Sequence, residues 1–318
     1  MSDLLDVIVI CGPTASGKTS LSIEMAKRIN AEIVSADSMQ IYKEMKIGTA
    51  KPDKYEMDDI PHHLFDIVSV TKDFNVAKYV EYASQAINEI HLRKKNVIIV
   101  GGTGLYIDSL VNNIDFFDIE TDLKYREQLT ELAKAKGGEY LKLQLSEVDP
   151  ETASKLHKND IKRIVRALEV FHSTGLPISK FQKLSKRNRK YNVTYIGLNY
   201  DNRETLYNRI NTRVDRMIDG GLIDECKSLL GLNLSDTAKA AIGYSDIFAY
   251  LNGEISLDDA IFYIKQKSRR YAKRQLTWFR RNQEIKWFYS DRYEKEVDLF
   301  NDCYDYIQKS GVTDEVKI

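Results

Sequence analysis

Gly12-Pro13-Thr14-Ala15-Ser16-Gly17-Lys18-Thr19 fits the pattern G-x-x-x-x-G-K-[ST]. A loop of this kind holds a di- or triphosphate. Its glycines let successive amide hydrogens turn toward one anion, and the helix that follows adds partial positive charge. Lys18 would contact the outer phosphates, and the Thr19 hydroxyl would hold a magnesium ion. The loop alone does not say which phosphate compound binds or what becomes of it. A phosphoryl-transfer site usually adds a strand ending in an acid that positions magnesium. Here the best strand for that purpose, Val97 to Val100, runs into Gly101-Gly102-Thr103-Gly104. The acid stands elsewhere, as Asp37 in Ser35-Ala36-Asp37-Ser38-Met39-Gln40, and two readings of it are open: a capping or magnesium-bridging residue, or a general base.

These residues can meet only if the strands that carry them lie side by side. Val7 to Cys11, Glu32 to Ser35, Leu64 to Val68 and Val97 to Val100 are short runs rich in β-branched residues and read as buried strands. Thr19 to Ile29 and Val76 to Leu92 read as helices between them, and this alternation implies a parallel sheet with helical crossovers. The carboxyl ends of neighbouring parallel strands share one crevice, so Gly12 to Thr19, Asp37 and Thr103 are candidates to surround one ligand.

The pattern then changes. Leu123 to Lys136, Tyr140 to Leu145, Glu151 to His157 and Ile161 to Ser173 read as consecutive helices, with Asp160 as an N-cap and Gly175 followed by Pro177 as a stop. Val193 to Asn199 reads as a strand returning to the sheet. Glu204 to Leu230 reads as a helical region broken near Gly220-Gly221, and Trp287 to Tyr289 as a last strand. The expected fold class is α/β, a P-loop NTPase-like parallel sheet flanked by helices, with a helical insertion domain and a helical C-terminal region. The expected organisation is a first core part over 1–114, the insertion over 115–191, and a return to the core with C-terminal helices over 192–318.

Three basic clusters stand out. Lys180 to Lys190 holds Lys180, Lys183, Lys186, Arg187, Arg189 and Lys190 with no acid, and Lys265 to Lys286 holds nine basic residues against Glu284 alone. On a helix, Lys265, Arg269 and Lys273 fall on one face while Ile261, Ile264, Ala272, Leu276 and Phe279 form an apolar stripe. Lys162, Arg163 and Arg166 make the third cluster. With Tyr271 and Trp278 interleaved in the strongest, the clusters point to a nucleic-acid surface. His62 and His63 are adjacent, so on a strand they face opposite ways, and a structural role is expected of them.

Composition sets the outer bounds. The 318 residues suggest about two domains at roughly 150 each, and 43% hydrophobic with 30% charged residues excludes disordered and collagen-like classes. Lys and Arg balance Asp and Glu at 47 each, so a polyanion partner must be met by one face. Acids at Asp3 and Asp6 and a short apolar run thereafter give no export signal and no membrane span. Cys11, Cys226 and Cys303 lie too far apart in sequence to suggest a zinc site or a disulfide framework, so a reducing cytoplasm is expected.

Taken together, the phosphate loop, Ser35 to Tyr42, Ile47-Gly48-Thr49-Ala50-Lys51-Pro52 and Gly101 to Tyr106 resemble the bacterial tRNA dimethylallyltransferase (tRNA isopentenyltransferase, IPP transferase) family. Asn159-Asp160 with Arg163 and Arg166 to Val170, Ala241-Ile242-Gly243-Tyr244, and Tyr271 to Trp278 extend the similarity to nearly the whole chain. The resemblance implies transfer of a dimethylallyl group from dimethylallyl diphosphate to the exocyclic N6 amine of the adenosine 3′-adjacent to the anticodon. The products would be N6-(dimethylallyl)adenosine and diphosphate. It implies that Gly12, Pro13, Thr14, Ala15, Ser16, Gly17, Lys18 and Thr19 hold the diphosphate as leaving group, with Mg2+ near Thr19 and with Arg213 as a further grip. Asp37 would accept the proton of the amine, Thr103 would touch the target nucleotide, and Ser38, Met39 and Gln40 would line its pocket. Lys162, Arg163, Arg166, Gly243, Tyr244, Arg270, Lys273 and Arg274 would clasp the anticodon stem-loop around a flipped-out base. Two departures are visible: Ser245 stands where many relatives carry a basic residue, and the chain ends at Ile318 without the zinc finger of eukaryotic relatives. A monomer is expected. The alternatives are a small-molecule or nucleotide kinase, against which the missing acid after Val100 and the basic clusters count, and a non-catalytic RNA-binding module.

Overall fold

The computed structural model describes residues 4–114, 122–184 and 189–311. Lys186 and Arg187 of the Lys180 to Lys190 cluster, and Asp3, lie outside them. The chain divides into two compact units, Met1–Asn112 with Arg189–Ile318, and Asn113–Asn188.

The first unit opens with β1 (Leu5–Cys11), α1 (Lys18–Arg28), β2 (Ala31–Ser35), α2 (Lys54–Met57), β3 (His62–His63), α3 (Val76–Leu92), β4 (Asn96–Gly101) and α4 (Gly104–Val111). In the second unit come α5 (Leu123–Lys136), α6 (Gly138–Val148), α7 (Pro150–Lys155), α8 (Ile161–Thr174) and α9 (Ile178–Leu184). The first unit resumes with β5 (Tyr191–Asn199), α10 (Arg203–Asp219), α11 (Leu222–Leu229), α12 (Asp236–Lys239), α13 (Tyr244–Leu251), α14 (Leu257–Phe279), β6 (Lys286–Tyr289) and α15 (Glu296–Lys309).

All six strands are parallel, in the order β3-β2-β4-β1-β5-β6. Alternation along β1 explains the two cores. Val7, Val9 and Cys11 point to one face and pack with α3, α4, α11, α13 and α14, while Ile8 and Ile10 point to the other and pack with α1 and α15. β1 is central and covered on both faces, which is why it reads as an unbroken apolar run. The second unit has its own core, in which Leu129, Leu141, Leu145, Ile164 and Leu168 meet.

One expected strand is absent. Leu64 to Val68 is a loop, because Leu64 and Asp66 take φ of 67° and 54°, left-handed values that no strand accommodates. The segment is tied down instead by Ile67 and Val68 amides donating to Ile41 O, and a single bridge joins Tyr42 to Val68. The two-residue strand β3 precedes it. His63 Nε2 bonds Glu32, which also takes Arg93, and His62 Nδ1 bonds Ile60 O. Gly175 caps α8 in the left-handed conformation, whereas the Asp160 carboxylate turns back to the His157 amide rather than capping α8. All three cysteines are buried and unpaired. Among the described residues, no helix is long and apolar enough to cross a membrane.

Candidate active site

Three strand ends build the site. β1 delivers the phosphate loop, β2 delivers Asp37 and β4 delivers Thr103, and the register Cys11–Gly101 and Ser35–Val100 puts these ends level. Past the sheet the backbone continues to stitch them: Ala36 N donates to Val100 O at 2.7 Å, and Thr103 N to Ala36 O at 3.1 Å. Asp37 and Thr103 are therefore neighbours by main-chain geometry. The Asp37 carboxylate Oδ1 accepts the amides of Met39 (2.8 Å) and Gln40 (3.3 Å), while Oδ2 carries no hydrogen bond among the described residues. Thr103 Oγ1 accepts the Ser38 amide at 3.1 Å.

The phosphate loop is shaped from two sides. Gly12 has φ of 145°, and a Cβ there would lie 2.3 Å from Leu198 O of β5, so no other residue fits. From α14, Gln275 Oε1 accepts the Thr14 amide at 2.9 Å, and its Nε2 donates to Gly102 O at 2.9 Å. Gln275, 5% exposed, thus ties the phosphate loop to the turn after β4. From α10, Arg209 donates to Ala15 O at 3.0 Å. Lys18 Nζ donates to Pro13 O at 2.6 Å.

Arg213 of α10 donates to Thr49 O at 3.3 Å, and Gln40 Nε2 donates to the same oxygen and to Ala50 O. Their loop is held by Glu225 of α11, whose carboxylate accepts the amides of Lys46, Ile47 and Gly48 at 2.8, 2.8 and 3.1 Å and the Tyr244 hydroxyl at 2.6 Å. Gln275 was not singled out in the sequence as a site residue, nor was Glu225; the one available signal was that Gln275 falls in the Tyr271 to Trp278 motif.

Two cavities result. The smaller, about 80 Å³, is lined by Lys18, Thr19, Gln40, Gly101, Gly102 and Gln275. The larger, about 290 Å³, is lined chiefly by apolar side chains, among them Met39, Ile210, Val214, Met217, Ile242 and Ile264. They share Thr14, Asp37, Arg213 and Tyr271. Burial pushes Lys18 down to about 8, with Arg213 adding to the shift and Asp37 opposing it. Arg213 is also lowered by burial. Two cations held at a cost in a cleft with one carboxylate are poised for an anion. Burial and Asp37 push the Tyr271 phenol up to about 12, so it keeps its proton beside Thr103. The Thr19 hydroxyl carries no hydrogen bond among the described residues, and no group of three His, Cys, Asp or Glu there could hold a metal. Thr19 and the oxygens of a bound diphosphate together form the hard, oxygen-only donor set that suits Mg2+.

The basic residues fare unequally. Lys265 pairs with Asp215 at 2.5 Å and Arg269 with Asn211 at 2.6 Å, so two of the three residues on the expected charged face of α14 are spent on α10. Arg270, Lys273 and Arg274 are exposed and make no ion pair among the described residues. Trp278 is half-buried, with its Nε1 donating to Asp108 at 2.7 Å and the Arg281 guanidinium over its ring at 5.3 Å. Tyr271 lines the cavities. In the second unit, Lys162 and Arg163 are exposed, while Arg166 joins Arg126 on the fully buried Glu169 carboxylate. Gly243 and Tyr244 are both buried; Tyr244 lines the larger cavity rather than the protein surface.

Comparison with known proteins identifies the family. The family model for IPP transferase matches residues 40–282. The chain is 50% identical over 307 residues to the tRNA dimethylallyltransferase of Caldanaerobacter subterraneus subsp. tengcongensis, covering 95% of this chain and 98% of that one. It is 47% identical over 310 residues to that of Acetivibrio thermocellus, covering 96% and 99%. Among solved structures, the tRNA isopentenylpyrophosphate transferase of Bacillus halodurans is 41% identical with a TM-score of 0.72 over 96% of both chains. A eukaryotic dimethylallyltransferase described as acting on tRNA is 31% identical with a TM-score of 0.73, over 86% of this chain and 70% of that one.

Proposed function

The chain belongs to the IPP transferase family, and from that premise we propose that it transfers a dimethylallyl group from dimethylallyl diphosphate to the N6 amine of the tRNA adenosine 3′-adjacent to the anticodon. One observation carries the reading: a phosphate cavity and an apolar cavity that meet at Asp37 and Arg213. The diphosphate belongs in the first, on the loop amides, Lys18 and Arg213. The five-carbon chain and the adenine belong toward the second.

In the reaction the bond from the allylic carbon to the diphosphate oxygen breaks, and the bond from that carbon to N6 forms. Negative charge accumulates on the departing oxygen, where Lys18, Arg213 and the loop amides offset it. Mg2+ held by Thr19 and the diphosphate would supply further charge there. The adenine amine is a weak nucleophile because its lone pair is delocalised into the ring. Asp37 Oδ2 takes its proton as the new bond forms, while Oδ1 stays fixed by the Met39 and Gln40 amides. Thr103 and Tyr271 stand beside Asp37 to orient the base. The base reaches them flipped out of its stack, at a cost of a few kcal/mol. Arg270, Lys273 and Arg274, with Lys162 and Arg163 on the second unit, supply the RNA-binding charge.

The test incubates protein and magnesium with unmodified tRNA and either allyl-labelled dimethylallyl diphosphate or ATP labelled on its terminal phosphate, followed by nucleoside analysis. Label on adenosine from the allylic donor is expected. Label from ATP alone, or RNA binding without any transfer, would overturn the reading.

A further inference from the structure

Outside the double cavity, a cleft of about 190 Å³ lies between the end of β5, the start of α10 and the last turns of α14. Leu206, Ala272 and Leu276 give it an apolar wall, and Tyr207 adds an aromatic ring. Arg203, Lys273 and Arg280 line it, all three exposed and none in an ion pair among the described residues. The acid that also lines it, Asp201, is already taken by Arg292. The cleft is therefore positively charged, and the N-terminal end of the 17-residue helix α10 adds to that charge. A second feature asks for a different kind of partner. Asn199, 4% exposed at the end of β5, lines the same cleft, and its Oδ1 is buried with no hydrogen bond among the described residues. Buried carbonyl oxygens of this kind are normally satisfied.

A phosphate alone would answer the three cations but would leave Tyr207 and the apolar wall without a partner. An apolar ligand would fill the wall but leave the cations alone. A nucleotide answers all of these: phosphate for the cations, a flat base for Tyr207 and the apolar wall, and a ribose hydroxyl or exocyclic amine for Asn199. We propose that this cleft is a nucleotide-binding site separate from the reaction crevice, holding its ligand's phosphate on Arg203, Lys273 and Arg280. The nucleotide comes either from the bound RNA, which rests on the function proposed above, or from the free nucleotide pool. One base held in a side cleft would fix the register of a flexible loop more firmly than backbone contacts alone.

Arg203→Ala/Arg280→Ala and Asn199→Leu separate the outcomes, with circular dichroism confirming that each variant is folded. An unmodified anticodon stem-loop RNA is titrated without allylic donor at several salt concentrations, so that a failure of prenyl transfer does not touch the result. AMP is titrated by calorimetry with inorganic diphosphate present to occupy the phosphate loop. For an RNA-borne nucleotide, the double variant binds RNA about tenfold more weakly and its log–log salt slope falls by about one to two, because each lost phosphate contact removes about one counterion. Asn199→Leu then weakens RNA binding with no change of slope. For a free nucleotide, AMP binds the parent protein and neither variant, and RNA affinity is unchanged. RNA and AMP binding that are both unaffected by the double variant would overturn the proposal.

Discussion

The two cavities that share Thr14, Asp37, Arg213 and Tyr271 differ in the rest of their lining. One is built of main chain: loop amides held in place by glycine conformations and by Gln275. The other is built of side chains, Met39, Ile210, Val214, Met217, Ile242 and Ile264, drawn from separate segments of the chain. Binding a diphosphate requires fixed dipoles aimed at one point, which only a rigid backbone provides. Binding a short hydrocarbon requires only shape and dryness, which apolar side chains provide. On the function proposed above, the contrast would assign the cost of charge separation to one cavity and selectivity for the hydrocarbon to the other, with Asp37 at their junction.

Removing the junction should have the largest effect. Asp37→Ala is expected to lower kcat by roughly 10² to 10⁴, the usual contribution of a general base. Affinity for the stem-loop RNA is expected to stay within a few-fold. Single-turnover rates set beside filter-binding affinities check this. A large loss of RNA affinity with turnover kept would make Asp37 a binding residue and leave the two cavities without a chemical link.

A smaller effect should be confined to the phosphate cavity. Lys18 in the free protein sits at about 8. The charge of a bound diphosphate stabilises protonated lysine, so its pKa rises on binding and a proton is taken up. The affinity is thus fully present below pH 8 and is lost as pH rises past it, by about tenfold per unit until the bound-state pKa is reached. Calorimetry with dimethylallyl diphosphate alone, at pH 7 and 9, reads this once the last ionisation of the terminal phosphate, titrated separately on the free ligand, is subtracted, because that ionisation strengthens binding as pH rises and so opposes the loss. Proton uptake measured in two buffers should accompany it. A flat profile would remove Lys18 from the charge balance and blur the contrast between the cavities.

Much of this was legible in the sequence, and the limits are physical. The runs Val7 to Cys11 and Val97 to Val100 announce buried parallel strands because both faces are apolar. The phosphate loop is legible because its geometry demands glycine at fixed spacing. Leu64 to Val68 has the same composition as a strand, yet its left-handed residues were invisible in a pattern of side chains. Gln275 and Glu225 act on main-chain atoms that folding brings near from 261 and from 177 to 179 residues away, and no local pattern marks them. Lys265 and Arg269 were counted as free charge because a sequence does not show that Asp215 and Asn211 face them.

Glu225 offers the finest test of the comparison, because its loop belongs to both cavities. Gly48 and Thr49 line the apolar cavity, while Thr49 O holds Arg213 and Gln40, the latter on the phosphate side. Tyr244→Phe removes one of the four hydrogen bonds to Glu225 without touching the three backbone amides. Tyr244 is 1% exposed, so the change deletes a buried bond to a charged group, worth about 1.5 to 3 kcal/mol. If the amides alone keep the loop in place, the variant loses roughly that stability in urea while kcat and KM for the allylic donor stay within about twofold. A rise in that KM of more than fivefold with stability unchanged would mean that the tyrosine sets the loop position directly. The loop would then act as part of the apolar cavity, and the division between a main-chain site for charge and a side-chain site for hydrocarbon would have to be redrawn around it.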